Sequence, residues 1–468
     1  MPKTSYISRD NKFIIIIFLL FTISRLLVFF LFNFEFLYFL DGYVQYLDVN
    51  LLKGELFQSI YYLHSQPPLF NFFIGLIEKL SPVYSAIIFQ FIFILIGLLT
   101  NILLFKLLRG VGVNSYLSLM FTIFYLLSPA TLLYENLFFY THIIIFFLIS
   151  AGYYLNLFIR QGKFRYVFFH FLFLSLCVLT TSFFHLLWFL VLLGILILTN
   201  RDNWKTIMKG AIFPLLLILS LYLKNYFIFD SFSSSTWLGM NLSRITVNQL
   251  PEEEKKRLIQ NGLLNDVAKL EPFPVGDSLI FIKDLKLDPI THIKSLDEKF
   301  KKSGHTNYNN LIYIKVSKFS FQNAIYTIVH CPQAYVSGVK KAFCLYFDSP
   351  TKYTLLEQNT YKIKKYNRLF DAFIYGTSAS TAFGYISIIS IPLMLLLGAM
   401  LIIKNETKNN IKVILIFLIF NILYVMIIGN FFELGENNRF RYYTEIYHFI
   451  IWAILLQNLF NRKKTEQL

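Results

Sequence analysis

Few side chains in this sequence could do chemistry, and most of them stand where an apolar run meets a polar one. Asp41, in FLYFLDGYVQYLDVNLLKGELF, follows the first apolar run by a few residues. With an ordinary pKa near 3.9 an aspartate is ionised at neutral pH and can take a proton from a hydroxyl without special tuning. Placed just before a helix, it can equally cap that helix's free N–H groups. Asp48 and Glu55 lie one and two helical repeats further on and read as the solvated face of the same segment. In His64-Ser65-Gln66-Pro67-Pro68 the Pro-Pro step dictates an extended entry and then a helix start, with an apolar face from Leu69 to Leu80. His64 and Gln66 stand at the polar edge of that helix and count among the substrate-binding candidates. Arg25 lies inside the first apolar run, where insertion of a charge costs roughly 2.5–3.5 kcal/mol, so it either snorkels outward or reaches a cavity on that face. Lys224, in LKNYFIF, poses the same choice. The stretch FDSFSSSTWLGMNLSRIT (229–246) offers hydroxyls, the indole of Trp237 and the amide of Asn241, a surface on which a sugar can stack and hydrogen-bond and also the content of any membrane-edge loop.

The elements that must hold these groups are membrane helices. The 468 residues are 56% hydrophobic, 19% aromatic and only 15% charged, which excludes a water-soluble globule. Apolar runs near 13–34, 83–105, 114–129, 137–159, 166–181, 183–199, 210–228, 379–403, 413–429 and 443–460 predict about ten transmembrane helices in an all-α polytopic protein. The net charge of +16 does not point to nucleic acid, because the basic residues lie between apolar runs instead of on one soluble face. Both termini and the loops near 106–113, 160–165, 200–209 and 404–412 hold 17 Lys and Arg, against four in 35–80, 130–136 and 430–442. That asymmetry predicts that both termini are cytoplasmic. The basic lead and long first apolar run read as a retained span, not a cleaved signal peptide.

Three units follow: an N-terminal transmembrane module (1–229) with a first external loop at 35–80, an external, mostly helical domain at 230–376, and C-terminal transmembrane helices at 377–468. The external domain carries 20 Lys/Arg against 14 Asp/Glu, an ordinary globular polarity. Cys177 lies in an apolar run, and Cys331 and Cys344 could pair in an oxidising compartment or stand as free thiols.

A first span, an acidic residue at its external end, the helix DGYVQYLDVNLLKGELF, then QPPLFNFFIGL and a second long span resemble the opening of the GT-C membrane glycosyltransferases. Within them the pattern is most similar to the glycosyltransferase family 39-like branch of protein mannosyltransferases and lipid A aminoarabinose transferases. The resemblance covers roughly the first 200 residues and the last span; the external domain matches only in position and size. It implies a GT-C-like architecture and a transferase that takes a sugar from a polyprenyl-phosphate donor at the external membrane face. It implies that Asp41 activates the acceptor, a hydroxyl or amine on a glycan, lipid or protein. The family's second acidic residue is displaced: the segment reads LYENLFFYTHIII, with Glu135 one to two turns early and Thr141-His142 in the expected place. Glu135 is kept as a substrate-binding candidate, and a divalent metal is left open. The segment GENNRFRYYTEIYHF (435–449) looks like the family's Arg/Tyr segment that meets the carrier phosphate. This assigns Arg439 and Arg441 to the departing phosphate, with Lys224 and Arg25 as supporting cations, since an Arg fork can hold two phosphate oxygens while charge grows there. The plainer alternative is that Arg441 pairs with Glu445 at i, i+4 while Arg439 snorkels.

A single displacement needs one base and no enzymic nucleophile, and it would invert the anomeric configuration. A lipid-linked sugar flippase or transporter is the main competing reading, but it predicts repeats and polar groups near the bilayer midplane, whereas here the polar groups gather at one face. A polysaccharide polymerase or ligase shares the lipid-phosphate substrate, and only the pattern from Asp41 to Pro68 separates it. Richness in Phe, Ile, Lys and Asn suggests a bacterial source and hence a multi-pass protein of the plasma (inner) membrane.

Overall fold

The computed structural model describes residues 3–40, 42–282, 285, 290–377 and 383–466. Among these residues every regular element is helical; two isolated bridges, Leu37 with Leu137 and Phe300 with Thr306, are the extended pairings. The longer helices, in chain order, are α1 (Lys3–Phe30), α2 (Pro68–Leu80), α3 (Ser85–Gly110), α4 (Ser115–Leu127), α5 (Pro129–Glu135), α6 (Thr141–Gln161), α7 (Phe164–Thr180), α8 (Leu186–Thr199) and α9 (Trp204–Phe229). After these come α10 (Leu238–Ile245), α11 (Glu252–Gln260), α12 (Ile312–His330), α13 (Pro332–Phe347), α14 (Lys364–Ile374), α15 (Tyr385–Ile403), α16 (Asn409–Phe432) and α17 (Asn437–Glu466).

The apolar runs and the helices coincide in place, but not all of them have the length and composition of a span. Among the described residues six helices are long and apolar enough to cross a membrane, or seven if α4 and α5 form one bent span. The 55° bend between those two has a local cause. Pro129 has no N–H to continue the ladder, and Ser128 turns its hydroxyl to accept from Thr131 N, restarting the helix. The expected spans at 166–181 and 183–199 appear as 17- and 14-residue helices, shorter than the roughly 20 residues that a hydrocarbon core requires. The final run belongs to a 30-residue helix that is too polar to qualify on composition. Its setting explains why. From Asn437 to Leu455 nearly every residue of α17 is buried, packed by α4, α6, α13, α15 and α16, so this helix is enclosed by protein on all sides and can carry polar residues that find partners there. By contrast Ile15, Leu19 and Ile23 on α1 and Ile87 and Phe91 on α3 stand exposed at i, i+4 spacing, an outward apolar stripe.

The helix ends sort into two sets. At one end Arg109 pairs with Asp10, and Asn114 donates to Gln457. At the other, Leu37 pairs with Asn136 and Phe138, His64 with Thr236, and Asn438 donates to Ser349 O. The second end carries a layer of helices, α10 to α14, that lies outside the bundle and is called the external layer. Gly239 of α10 lies so close to α12 that an added Cβ would fall 1.8 Å from Ser317 O, and Gly338 of α13 meets Ile245 O in the same way. Glycine is required at both crossings because only a bare backbone fits. The loop 294–310 then clamps the first external loop: Asp48 Oδ2 accepts from Lys302 N at 2.6 Å, and Lys301 Nζ donates to Tyr43 O at 2.8 Å. The three cysteines are free thiols, so the Cys331–Cys344 pairing is not made.

One ion pair ties α1 to the bend. Arg25 grips Glu135 with two bonds, Nε to Oε1 at 3.0 Å and Nη2 to Oε2 at 2.7 Å, and a third N–H donates to Leu126 O. Both side chains are at most 5% exposed. Gly97 makes room for the carboxylate, since a Cβ there would lie 2.4 Å from Glu135 Oε2. Removing one partner leaves a buried charge alone. Glu135→Leu should therefore cost about 3–5 kcal/mol, while Arg25→Met combined with Glu135→Leu should recover most of it. Chemical unfolding of the purified single and double variants checks this, and equal destabilisation of both would overturn it.

Candidate functional site

The turn that opens α17 is built around an amide. Asn437 Nδ2 donates to Gly429 O and Asn430 Oδ1, and its Oδ1 accepts from Gly435 N, where φ of +120° suits only glycine. This turn aims Arg439 into a shell of aromatic rings. Its guanidinium carbon lies 4.8 Å from the ring centres of Phe139 and Phe440 and 5.5–5.7 Å from those of Tyr140, Tyr353 and Tyr443. One nitrogen donates to Tyr443 Oη at 2.7 Å and Thr141 Oγ1 at 3.2 Å, and the other to Glu436 Oε2. Desolvated cation–π contacts contribute up to about 2 kcal/mol each, and with the carboxylate they offset the cost of enclosing the charge. Arg439 Nε is buried without a hydrogen-bond partner among the described residues, and so is the hydroxyl of Tyr43.

Glu436 forms the cover of this shell. It accepts from Arg439 and from Tyr353 Oη at 2.8 Å while its side chain remains 23% exposed, so it is the point at which solvent meets the guanidinium. Burial acts to raise its pKa, but the Arg439 charge and these hydrogen bonds outweigh burial and hold the carboxyl below its usual range. Glu433, one turn away and facing Arg244 at 3.4 Å, goes the other way: burial pushes it from 4.5 up to about 7 against the pull of Arg244. Two carboxyls near one guanidinium are thereby set to different protonation states near neutrality.

Five chain segments meet here: the first external loop, the α5–α6 break, the α7–α8 break, the turn at Pro350–Tyr353 and the start of α17. Tyr43 stacks on Phe139 with ring centres 5.0 Å apart, and Phe139 lies beneath Arg439. Phe183, in the α7–α8 break, lies against Phe440 and Tyr443, with ring centres 4.7 and 5.7 Å apart. Asp41 lies outside the described residues; Tyr43, two positions further on, belongs to the shell.

Arg441 does not join Arg439. Two residues along a helix is a rotation of about 200°, so the side chains leave α17 on opposite faces. Arg441 is over the ring of Tyr375 at 4.6 Å, with Glu445 at 3.6 Å and Ser387 Oγ at 3.4 Å, and it is 1% exposed. The i, i+4 pairing with Glu445 is present, and a shared fork of both arginines is ruled out by helix geometry. Arg25 and Glu135 also serve each other: Arg25 turns inward to the α4–α5 bend instead of outward, and Glu135 has both oxygens occupied by it.

His64, Gln66 and Lys224 belong to the docking of the first loop. His64 Nε2 meets Asn309 O at 2.9 Å and Nδ1 meets Thr236 Oγ1 at 2.9 Å. A carbonyl can only accept, so Nε2 carries the proton and Nδ1 accepts from the threonine. Burial lowers the imidazole pKa to about 3, which keeps it neutral. Lys224 Nζ donates to Leu63 O at 2.5 Å beside it, and Gln66 is buried in the same turn. Trp237 is 3% exposed and edged by Phe273 and Tyr308 in the core of the external layer, so its face is not free to stack on a sugar; Asn241, one turn later on α10, is half-buried. Among the described residues no three His, Cys, Asp or Glu side chains converge.

The residues not anticipated are Glu436, Tyr43, Tyr140, Tyr353 and Tyr443. Glu436 and Tyr443 lie three before and four after Arg439, a helical spacing that places all three on one face. Tyr43, Tyr140 and Tyr353 come from distant segments and carry no local signal. Comparison of the chain with protein-family models, with curated proteins and with solved structures returns no match.

A raised carboxyl gives a signed pH effect. Protonated Glu433 is favoured by the fold, so its contribution is present below about 4.5 and is lost as pH rises through about 7. The wild type should lose up to about 3 kcal/mol more stability between pH 5 and pH 8.5 than Glu433→Gln, measured by chemical unfolding across that range. Parallel profiles for the two proteins would overturn the assignment.

Proposed function

We propose that the protein is a membrane glycosyltransferase that moves a sugar from a polyprenyl-phosphate donor to an acceptor hydroxyl or amine at the external face. The observation that carries this reading is the enclosed Arg439. A guanidinium with an unpartnered Nε, covered by a partly exposed carboxylate, is presented at the helix end where the Asp41-bearing loop docks. A carrier phosphate is an oxyanion of the kind that Glu436 imitates, and it can share or take over the carboxylate's place on Arg439.

In this reaction Asp41 takes the acceptor proton as the acceptor atom attacks the anomeric carbon. The bond from that carbon to the phosphate oxygen breaks, and the electron pair stays on the phosphate, whose growing charge faces Arg439. One displacement inverts the anomeric configuration. Arg441, on the far side of α17, contributes to packing and not to this step. The donor's hydrocarbon tail is the reason for housing such chemistry among membrane helices.

The reading includes ten crossings in a GT-C-like arrangement within a plasma membrane, with both termini cytoplasmic. The sorting of helix ends into two sets and the excess of Lys and Arg in the loops of one set support it. Single cysteines at Gly162, Asn203 and Thr407 in a cysteine-free background should then be shielded from an impermeant thiol reagent in whole cells, and those at Ser81 and Ser231 labelled. Labelling at Thr407 would break the topology.

For the chemistry, Asp41→Asn and Arg439→Ala should each lower transfer by about 100-fold or more while leaving membrane insertion unchanged. Arg441→Ala should lower stability more than turnover per folded molecule. The assay is mass spectrometry of lipid-linked sugars and surface glycans in a deletion strain, restored with each variant. A strain with no accumulated donor and no missing glycan, or full restoration by Asp41→Asn, would overturn the proposal.

A further inference from the structure

The end of the bundle opposite the Arg439 shell holds a second polar site, on side chains that the transfer reaction does not use. Where α1, α3 and α6 meet there is a cavity of about 380 Å³. Its lining combines the cations Lys106, Arg109 and Arg160, with Asp10 beside Arg109, and the apolar side chains of Ile14, Phe105 and Leu157. Lys106 and Arg160 are exposed, whereas Arg109 is held in place by Asp10 at 3.0 Å and by Val113 O at 2.6 Å. Arg109 and Arg160 also line a neighbouring hollow of about 540 Å³, which adds Lys404 and Lys408.

Asn156 lines the first cavity and is 1% exposed. Neither its Nδ2 nor its Oδ1 has a hydrogen-bond partner among the described residues. An enclosed amide without partners forfeits the hydrogen bonds it makes in water, so a group that satisfies it is favoured. Gly110 seats it: a Cβ at that position would lie 2.1 Å from Asn156 Nδ2. The orphan pair needs one acceptor and one donor. A phosphate oxygen supplies the first, and a hydroxyl on the same headgroup supplies the second. A lining that mixes an excess of cations with apolar side chains, at a helix-bundle end, matches an amphiphile, in which phosphate and the first acyl carbons lie side by side.

We infer that this cavity binds the headgroup of an anionic glycerophospholipid that carries a hydroxyl, with its phosphate on Arg160, Lys106 and Asn156 Nδ2 and its hydroxyl on Asn156 Oδ1. The site is separate from the transfer reaction and does not depend on it.

The test uses the full-length purified protein in nanodiscs of phosphatidylcholine, with and without one-third phosphatidylglycerol. Wild type should retain phosphatidylglycerol selectively through detergent washing, read by mass spectrometry of bound lipid, and should unfold at a higher temperature in its presence. Lys106→Gln with Arg160→Gln removes two exposed charges and should lower retention by about tenfold or more. Asn156→Leu keeps the branched heavy-atom skeleton, removes both orphan groups, and should lose the preference for phosphatidylglycerol over phosphatidic acid, which has no headgroup hydroxyl. Equal retention of phosphatidylglycerol and phosphatidylcholine by the wild type, or unchanged retention by the charge variant, would overturn the inference. Full displacement of the lipid by millimolar glycerol phosphate or inorganic phosphate would show a soluble phosphate site and overturn the lipid assignment.

Discussion

A guanidinium enclosed almost wholly by protein is the constraint on which the site depends. Arg439 sits at the head of α17, 1% exposed, and its charge is met by one carboxylate, two hydroxyls and five ring faces. None of those groups is local to it except Glu436, Phe440 and Tyr443. The others come from the α5–α6 break and the external Pro350 turn, so the burial of this one charge requires both breaks in helical structure and the closure of the external layer over the bundle. Loss of the break at Ser128–Pro129 would redirect the chain that delivers Phe139 and Tyr140.

The same need to satisfy polar groups organises the approach to the shell. The first external loop is held by backbone acceptors and amides of the loop 294–310 instead of by apolar packing alone. His64 joins Asn309 and Thr236, Asp48 takes Lys302 N, and Lys301 reaches Tyr43 O. Contacts of this kind fix orientation, because each has one geometry that works, whereas apolar contacts tolerate sliding. The loop that carries Asp41 is therefore positioned by the external layer, and α10, α12 and α13 are part of the site's support.

Several charged residues that stand out in the sequence are consumed in this scaffolding. Arg25, Glu135 and Lys224 are intramembrane or interfacial charges with partners on other elements, and Arg441 and Glu445, paired within α17, together meet Tyr375, so each sits where a structural joint is needed. An isolated charge near a membrane is expensive, which makes it a natural candidate for function, yet the same expense makes a paired charge a strong joint. Only the partner tells the two apart.

The sequence by itself determined the apolar segments, their order, the helix start at Pro68, the helical character of the external layer and the asymmetry of charge between the two ends. These follow from local composition and from hydrogen bonds within a helix, which nearby residues settle. The Arg/Tyr segment at 435–449 was also legible, because its residues lie within one or two turns of each other. The tertiary structure alone decided that Arg439 and Arg441 part company, that Arg25 closes on Glu135, that Trp237 is core, and that Tyr43, Tyr140 and Tyr353 share a shell with Glu436. It also decided that the most polar of the long apolar runs lies at the centre of the bundle. Each of these depends on which surfaces from distant segments meet, and burial of a polar group is a property of that meeting, not of the residue.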